Sequence, residues 1–331
     1  MLHSDFAAHA AIAQPSTSIH GGPRYLTDYS PGHRPWDVHR AQAQGVEGIY
    51  LETQFDGLAW RIKGCSGHLG FAWAADPATG ESRLKLRAAQ FCRVRHCPVC
   101  QWRRSLMWQA RFLQALPSIE QAYPSARWVF LTLTVRNVPV QKLRQSLREI
   151  NRAWNRLRLR PEFARNVLGW IRTTEVTRGR DGSAHPHVHC LLMVRPSYFS
   201  SKYYVKQSRW ADVWRECARL DYQPIVDIRT VKPKPGAVGG EVPLRQAVAE
   251  TLKYSVKPED MMHGEWLLEL TRQVHRLRFI SSGGVLKNVL REAEETEQDL
   301  LLADEPSKAK DDEKPDLFFD WRQKIKRYVK R

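Results

Sequence analysis

The chain reads as an α+β protein whose main domain is a split βαβ, or ferredoxin-like, antiparallel sheet, and three observations predict it. Runs of strand length rich in β-branched and aromatic residues lie at 128–135, 169–177, 186–194 and 224–232. Segments of helical periodicity lie between them at 140–157 and 208–220. The turn RGRDGSA joins the second and third runs closely enough for a hairpin, so the order is β-α-β-β-α-β. Such a sheet carries its helices on one face and leaves the other open to a ligand. Topology of this kind is shared by many functions, so function has to be argued from particular residues.

Along the chain, residues 1–45 are rich in Ala, His, Pro, Gly and Ser without sustained periodicity, and they read as a flexible leader. Residues 46–110 combine short strand-like pieces (GIYLETQF, HLGFAWAA, SRLKLRAAQF) with four of the six cysteines, as a small metal-pinned module would. The sheet domain is expected over 111–285. It opens with WVFLTLTV, continues through the helix VQKLRQSLREINRAWNRL, the strands GWIRTTEVT and PHVHCLLMV, the helix SRWADVWRECARL and the strand PIVDIRTVK, and ends with the helix PLRQAVAETLKYSV at 243–256. Residues 286–331 read as a charged, helical tail, with Phe318, Trp321, Ile325 and Tyr328 on one helical face packed against the body.

The charge is strongly basic: 52 Lys and Arg against 35 Asp and Glu, a net of +17. Residues 292–316 hold 11 acidic and 3 basic side chains, so the remainder carries 49 basic and 24 acidic ones and is more basic still. A polyanionic partner fits that balance, although basic surfaces also occur without one. The acidic block is most simply a solvated linker. No apolar run approaches the ~18 residues of a membrane span, and the N-terminus lacks a basic region followed by an apolar stretch, so no membrane partner or secretion is expected. In the reducing cytosol expected for such a chain the six cysteines are better read as metal ligands or buried thiols than as disulfides.

The segment AHPHVHCLLMV carries the most chemistry. Alternation along a strand puts His187 and His189 on one face while Val188, Cys190, Leu192 and Val194 face a core. Two imidazoles side by side suit a divalent ion, with Glu175 on the preceding strand as an oxygen ligand for Mg²⁺ or Mn²⁺ and His185 as the competing third ligand. A surface carboxylate would look the same at Glu175. Glu250 and Tyr254, four apart on the last helix, place a carboxylate and a phenol on a common face. Metal, phenol and carboxylate together point to phosphodiester chemistry. Glu250 could equally be the i, i+3 partner of Lys253, and Tyr254 could be a core tyrosine.

Cys97 and Cys100 have knuckle spacing, and Cys92 and Cys65 complete a sulfur set for a structural Zn²⁺, with His68 and His96 as alternative fourth ligands. The neighbouring Arg103 and Arg104, with Arg93 and Arg95, could grip phosphates. Cys190 and Cys217 read as buried thiols, and most of the 12 tryptophans as core.

Four segments in order resemble the HUH endonucleases, specifically the single-tyrosine plasmid rolling-circle replication initiators: FCRVRHCPVCQWRR at 91–104, FLTLTV at 130–135, HPHVHCLLMV, and AETLKYSVK. The resemblance implies that His187 and His189 bind the catalytic metal, that Tyr254 is the nucleophile forming a 5′-phosphotyrosyl bond, and that Glu250 activates water at termination. Lys253 and Lys257 flank the tyrosine and would contact DNA. It further implies a plasmid-origin hairpin with a single-stranded nick site as substrate, and host helicase and polymerase as partners. A transposase or relaxase of the same chemistry is one alternative. A non-enzymatic zinc DNA-binding regulator is the other, and it leaves His187, His189, Glu250 and Tyr254 without a purpose.

Overall fold

The computed structural model describes residues 24–75, 80–231, 241–253, 255–289, 300–301 and 314–331. Helix α1 (Arg34–Tyr50) and helix α2 (Asp56–Gly64) precede strands β1 (His68–Ala75) and β2 (Ser82–Ala89), and a long helix α3 (Pro98–Ala122) follows the cysteine loop. Residues 34–45, expected in a leader, are therefore helical, and GIYLETQF contributes its first residues to α1 rather than to a strand. The reason lies in spacing: Trp36, Arg40, Ala43, Val46 and Tyr50 recur every three or four residues and are all buried. The first part of the expected leader, 1–23, lies outside the described residues.

The main sheet consists of β3 (Arg127–Thr134), β4 (Val167–Arg178), β5 (Ala184–Val194), β6 (Val226–Thr230) and β7 (Ile280–Gly284). Helix α4 (Leu143–Leu157) joins β3 to β4, and helix α5 (Gln207–Ala218) joins β5 to β6. The strand order is β6-β3-β5-β4-β7, and each recorded pairing is antiparallel. The four expected strands thus stand where their composition put them, within two residues at most ends. β7 extends the sheet along β4. It can approach so closely because Gly284 has a φ of +61° and a Cβ there would fall 2.3 Å from the Leu168 carbonyl.

One face of this sheet meets α4 and α5 through Leu131, Val188, Cys190, Leu147, Trp154 and Trp214. The opposite face is only partly open, contrary to the expectation from its topology. Ile171, Leu191 and Met193 on that face are covered by Phe112 and Leu116 of α3 and by Leu244 and Val248 of helix α6 (Glu241–Thr251). Apolar side chains at the far end of β5 required this second cover, whereas the histidine end remains polar.

The C-terminal segment is not helical. Strands β8 (Leu317–Arg322) and β9 (Arg327–Lys330) form a hairpin that adds to β1, giving a second sheet of order β2-β1-β8-β9. Phe319 and Trp321 alternate with Phe318 and Asp320, a period of two, and Tyr328 and Phe319 are fully buried while Phe318 and Ile325 are exposed. The cysteine-rich module is therefore completed by the other end of the chain. Among the described residues no helix is long and apolar enough to cross a membrane.

Candidate functional site

Pairing of β4 with β5 sets Glu175 directly opposite His187, and Thr173 opposite His189. Side chains two apart on each strand share a face, so the carboxylate and both imidazoles converge. Glu175 Oε2 lies 3.2 Å from His187 Nε2 and 2.9 Å from His189 Nε2, and the carboxylate is only 2 % exposed. His185 is turned away, its Nδ1 2.7 Å from the Asn137 side-chain oxygen. Of the two candidate third ligands, Glu175 is the one brought to the histidine pair.

Whether a cation fits follows from the donors. His187 Nδ1 is 3.2 Å from the His185 carbonyl, which can only accept, so in the neutral ring Nε2 carries a lone pair aimed at Glu175. His189 Nδ1 lies 3.2 Å from the Thr132 hydroxyl, and its ring stacks on Phe130 at 5.6 Å. A lone pair facing an anionic oxygen is repulsive unless a positive charge lies between them. Glu175, His187 and His189 offer ligand atoms within 4.8 Å of one another and could hold a metal ion. With no cation between them the imidazoles can instead carry protons on Nε2 and donate to Glu175; burial acts to raise its carboxyl, but those bonds and the Lys253 ammonium outweigh burial and hold it well below the usual carboxylate range.

Helix α6 delivers the remaining groups, but not as a continuous helical face. It ends at Thr251, past which tertiary partners catch the chain: the Leu252 carbonyl accepts from the Ser105 hydroxyl at 2.7 Å, and the Ser255 carbonyl accepts from the Val176 N–H at 2.9 Å. The helix expected to reach residue 256 therefore stops at Thr251. Those two competing bonds draw the chain onto α3 and β4. Tyr254 itself lies outside the described residues. Lys253 Nζ sits 3.2 Å from Glu175 Oε2 and 2.7 Å from Glu250 Oε1, so it joins the two carboxylates. Burial alone would lower its pKa, but the hydrogen bond to Glu250 and the charge of Glu175 raise it. Glu250 is thus the i, i+3 partner of Lys253, and through it stands next to the histidine site. Lys257 is exposed beyond the turn.

Beside this site opens a cleft of about 960 Å³, walled by α3 on one side and residues 276–282 on the other. Among the described residues its lining includes Arg93, Arg95, Arg104, Arg111, Lys253, Arg276, Arg278 and Lys287, with no acidic residue among them. Burial, with the neighbouring Arg104 guanidinium adding to it, lowers the pKa of Arg95. Cations gathered this closely repel one another, and an anionic ligand relieves that repulsion. Trp108 and Phe279 add aromatic faces to the lining. Arg276, Arg278 and Lys287 escaped the sequence reading because they follow no motif; the density of basic residues over 272–278 was the available signal.

The cysteines form one cluster. Cys65, Cys92, Cys97 and Cys100 bring their sulfurs within 4.8 Å of one another, with contacts of 3.6 Å from Cys100 to both Cys65 and Cys92 and 3.7 Å from Cys97 to Cys65. Four thiolates at about 2.3 Å from a tetrahedral zinc would be separated by about 3.8 Å, so this set fits such an ion. Hydrogen bonds from Cys100, Cys65 and Cys97 pull the Cys92 thiol down, as a cluster poised to hold a cation requires. Neither alternative ligand joins them: His96 is buried against Tyr50 and Thr271, and His68 pairs with Asp320. The cluster's loop also shapes the cleft, since Arg95 donates to the Leu277 carbonyl in the opposite wall. Arg103, expected to grip phosphates, is fully buried and donates to the carbonyls of Leu300 at 2.8 Å and Leu301 at 2.9 Å. It points away because α3 turns consecutive side chains by about 100°, and only Arg104 faces the cleft. Cys190 and Cys217 are buried thiols.

Comparison with known proteins gives one consistent result. A family described as replication protein matches residues 83–329. The chain is 33% identical over 277 residues to "Protein rep" of Lentilactobacillus hilgardii, covering 81% of this chain and 85% of that protein. It is 36% identical over 295 residues to "Protein rep" of Bacillus amyloliquefaciens, covering 82% and 84%. With "Protein rep" of Streptococcus pneumoniae it shares 32% over 262 residues, covering 77% and 78%. No solved structure matches the chain.

Proposed function

The chain belongs to the replication-protein family, and from that premise we propose that it initiates rolling-circle replication of a bacterial plasmid by nicking and rejoining single-stranded origin DNA. The β-α-β-β-α-β sequence of elements and the all-antiparallel order β6-β3-β5-β4 support reading the sheet as a split βαβ core of the HUH kind. The observation that carries the reading is the convergence of Glu175, His187 and His189 beside a cation-lined cleft, joined to it by Lys253, which contacts Glu175 and lines the cleft.

In this reading the cleft grips the phosphates of an unpaired strand, and the half-buried Trp108 offers a surface for a base. Glu175, His187 and His189 would hold a divalent cation, Mg²⁺ or Mn²⁺, which when bound would supply positive charge at the scissile phosphate. Tyr254 is the nucleophile. Its chain neighbours support the assignment: Lys253 contacts Glu175, and the Ser255 carbonyl is bonded to Val176, one residue along the same strand. A phenol of ordinary pKa near 10 is mostly protonated at neutral pH, so attack on a phosphate needs positive charge nearby. Attack forms the Tyr254 Oη–P bond and breaks the P–O3′ bond. The phenol gives up a proton and the leaving 3′ oxygen takes one up, so a primer 3′-hydroxyl is freed and one ester replaces another without ATP. Glu250, exposed enough to meet water, serves as base for hydrolysis at termination. The cysteine cluster holds a structural Zn²⁺. Host helicase and polymerase, in the bacterial cytoplasm, would extend the freed end.

The test is incubation of wild type and Tyr254→Phe with single-stranded origin oligonucleotides and Mn²⁺, read as a covalent protein–DNA band on a denaturing gel. The band should require both metal and Tyr254; a metal-independent band, or one that survives in the variant, would overturn the proposed mechanism.

A further inference from the structure

Helix α4 presents a second basic surface that the nicking chemistry does not use. Lys142 immediately precedes it, and Arg144, Arg148 and Arg152 recur every four residues along its outer face, lining a shallow groove of about 480 Å³ against Gln273. The groove holds one acidic residue, Glu149, which already accepts from the Gln145 amide at 3.0 Å. Lys142, Arg148 and Arg152 are exposed, and their side chains form no ion pair among the described residues. Elsewhere on the surface this chain does pair its arginines: Arg160 meets Glu216 at 2.6 Å and Arg209 meets Glu162 at 2.5 Å.

We propose that this face of α4 docks the phosphate backbone of duplex DNA, so that a paired stem is held outside while its unpaired continuation enters the cleft. This deepens, and rests on, the reading of the cleft as a site for a single strand. Three features select a duplex. From Arg144 to Arg152 is eight residues, about 12 Å along the helix axis, which matches the ~12 Å between the phosphate rows that flank a major groove. The groove lining contains no aromatic side chain, unlike the cleft with Trp108 and Phe279, so it offers contacts to phosphates but no platform for unstacked bases. The two surfaces are also joined. Arg144 takes the Gln273 side chain on its backbone N–H at 3.0 Å and donates to the His275 carbonyl at 3.0 Å, and the very next residues, Arg276 to Phe279, form the cleft wall.

The experiment compares wild type with Lys142→Gln/Arg148→Gln/Arg152→Gln on two probes, a hairpin of arbitrary sequence with an unpaired arm and the unpaired arm alone. The variant should bind the hairpin probe at least tenfold more weakly in 0.15 M salt, with a salt-dependence slope shallower by about 2.7. Its affinity for the arm alone, and its cleavage of single-stranded origin DNA, should match wild type. Equal losses on both probes would overturn the duplex assignment and make α4 part of the single-strand path; no loss on either would remove α4 from DNA binding. A parallel variant, Arg276→Gln/Arg278→Gln, separates this from the reading it rests on: if it still binds the unpaired arm as wild type does, the cleft assignment falls, whatever α4 does.

Discussion

Arg103 and Arg104 adjoin in the chain, yet the first is folded into the protein and the second faces the cleft. Arg103 lies 5.2 Å over Trp36 and 5.3 Å over Trp102 while donating to two backbone carbonyls, so Arg103→Ala should leave both acceptors unsatisfied. A loss of about 3 kcal/mol is expected, measurable as a lowered urea midpoint. Arg104→Gln should leave that midpoint within error and weaken binding of an unpaired oligonucleotide about tenfold, equivalent to about 1.4 kcal/mol. In the proposed metal centre, His187→Ala or His189→Ala would remove one of three candidate ligands, and metal-stimulated cleavage should drop by about a hundredfold or more. A gel assay across a Mn²⁺ titration distinguishes this from a folding defect, because part of the loss should be recovered at high metal. Residue types and strand alternation made the histidine pair legible in sequence. The choice of Glu175 over His185 required the register of β4 against β5, which the sequence does not state.

Between elements, the cysteine loop and the 276–282 segment act on each other across the cleft. Arg95, between Cys92 and Cys97, donates to the Leu277 carbonyl, so loss of the cluster should loosen the far wall as well as the loop. Chelation of zinc, or Cys97→Ser, is expected to lower the melting temperature and to weaken binding of an unpaired strand together. Calorimetry and fluorescence anisotropy on the same samples would check this, and lost stability with unchanged strand affinity would contradict the coupling. The misread elements also belong to this scale. LFFDWRQKIKRYVKR has aromatics compatible with either period, and a helical stripe through Phe318, Trp321, Ile325 and Tyr328 is as regular as the strand pattern. What decided between them is β1, whose free edge offers backbone partners to Leu317–Asp320 from almost 250 residues away. Helix α6 stops at Thr251 for a related reason, since bonds from Ser105 and Val176 compete with further helical ones.

For the whole molecule, the net charge of +17 becomes a specific arrangement: a cleft lined by eight lysine and arginine residues, adjoined by a basic helix face. Binding of a single strand should therefore weaken steeply with salt. Removing two cleft contacts, as in Arg276→Gln/Arg278→Gln, should reduce the slope of log K against log salt by about 1.4. The sequence by itself determined the basic character, the strands and helices of the main sheet, the sulfur set and the histidine pair, because composition and local periodicity are written residue by residue. Only the tertiary structure decided whether Glu175 or His185 joins the histidine pair, which arginines line the cleft, where α6 ends and that residues 317–330 complete the first sheet. Each of these depends on groups distant in sequence competing for the same hydrogen bonds or the same buried surface, and that competition is resolved only when the chain folds.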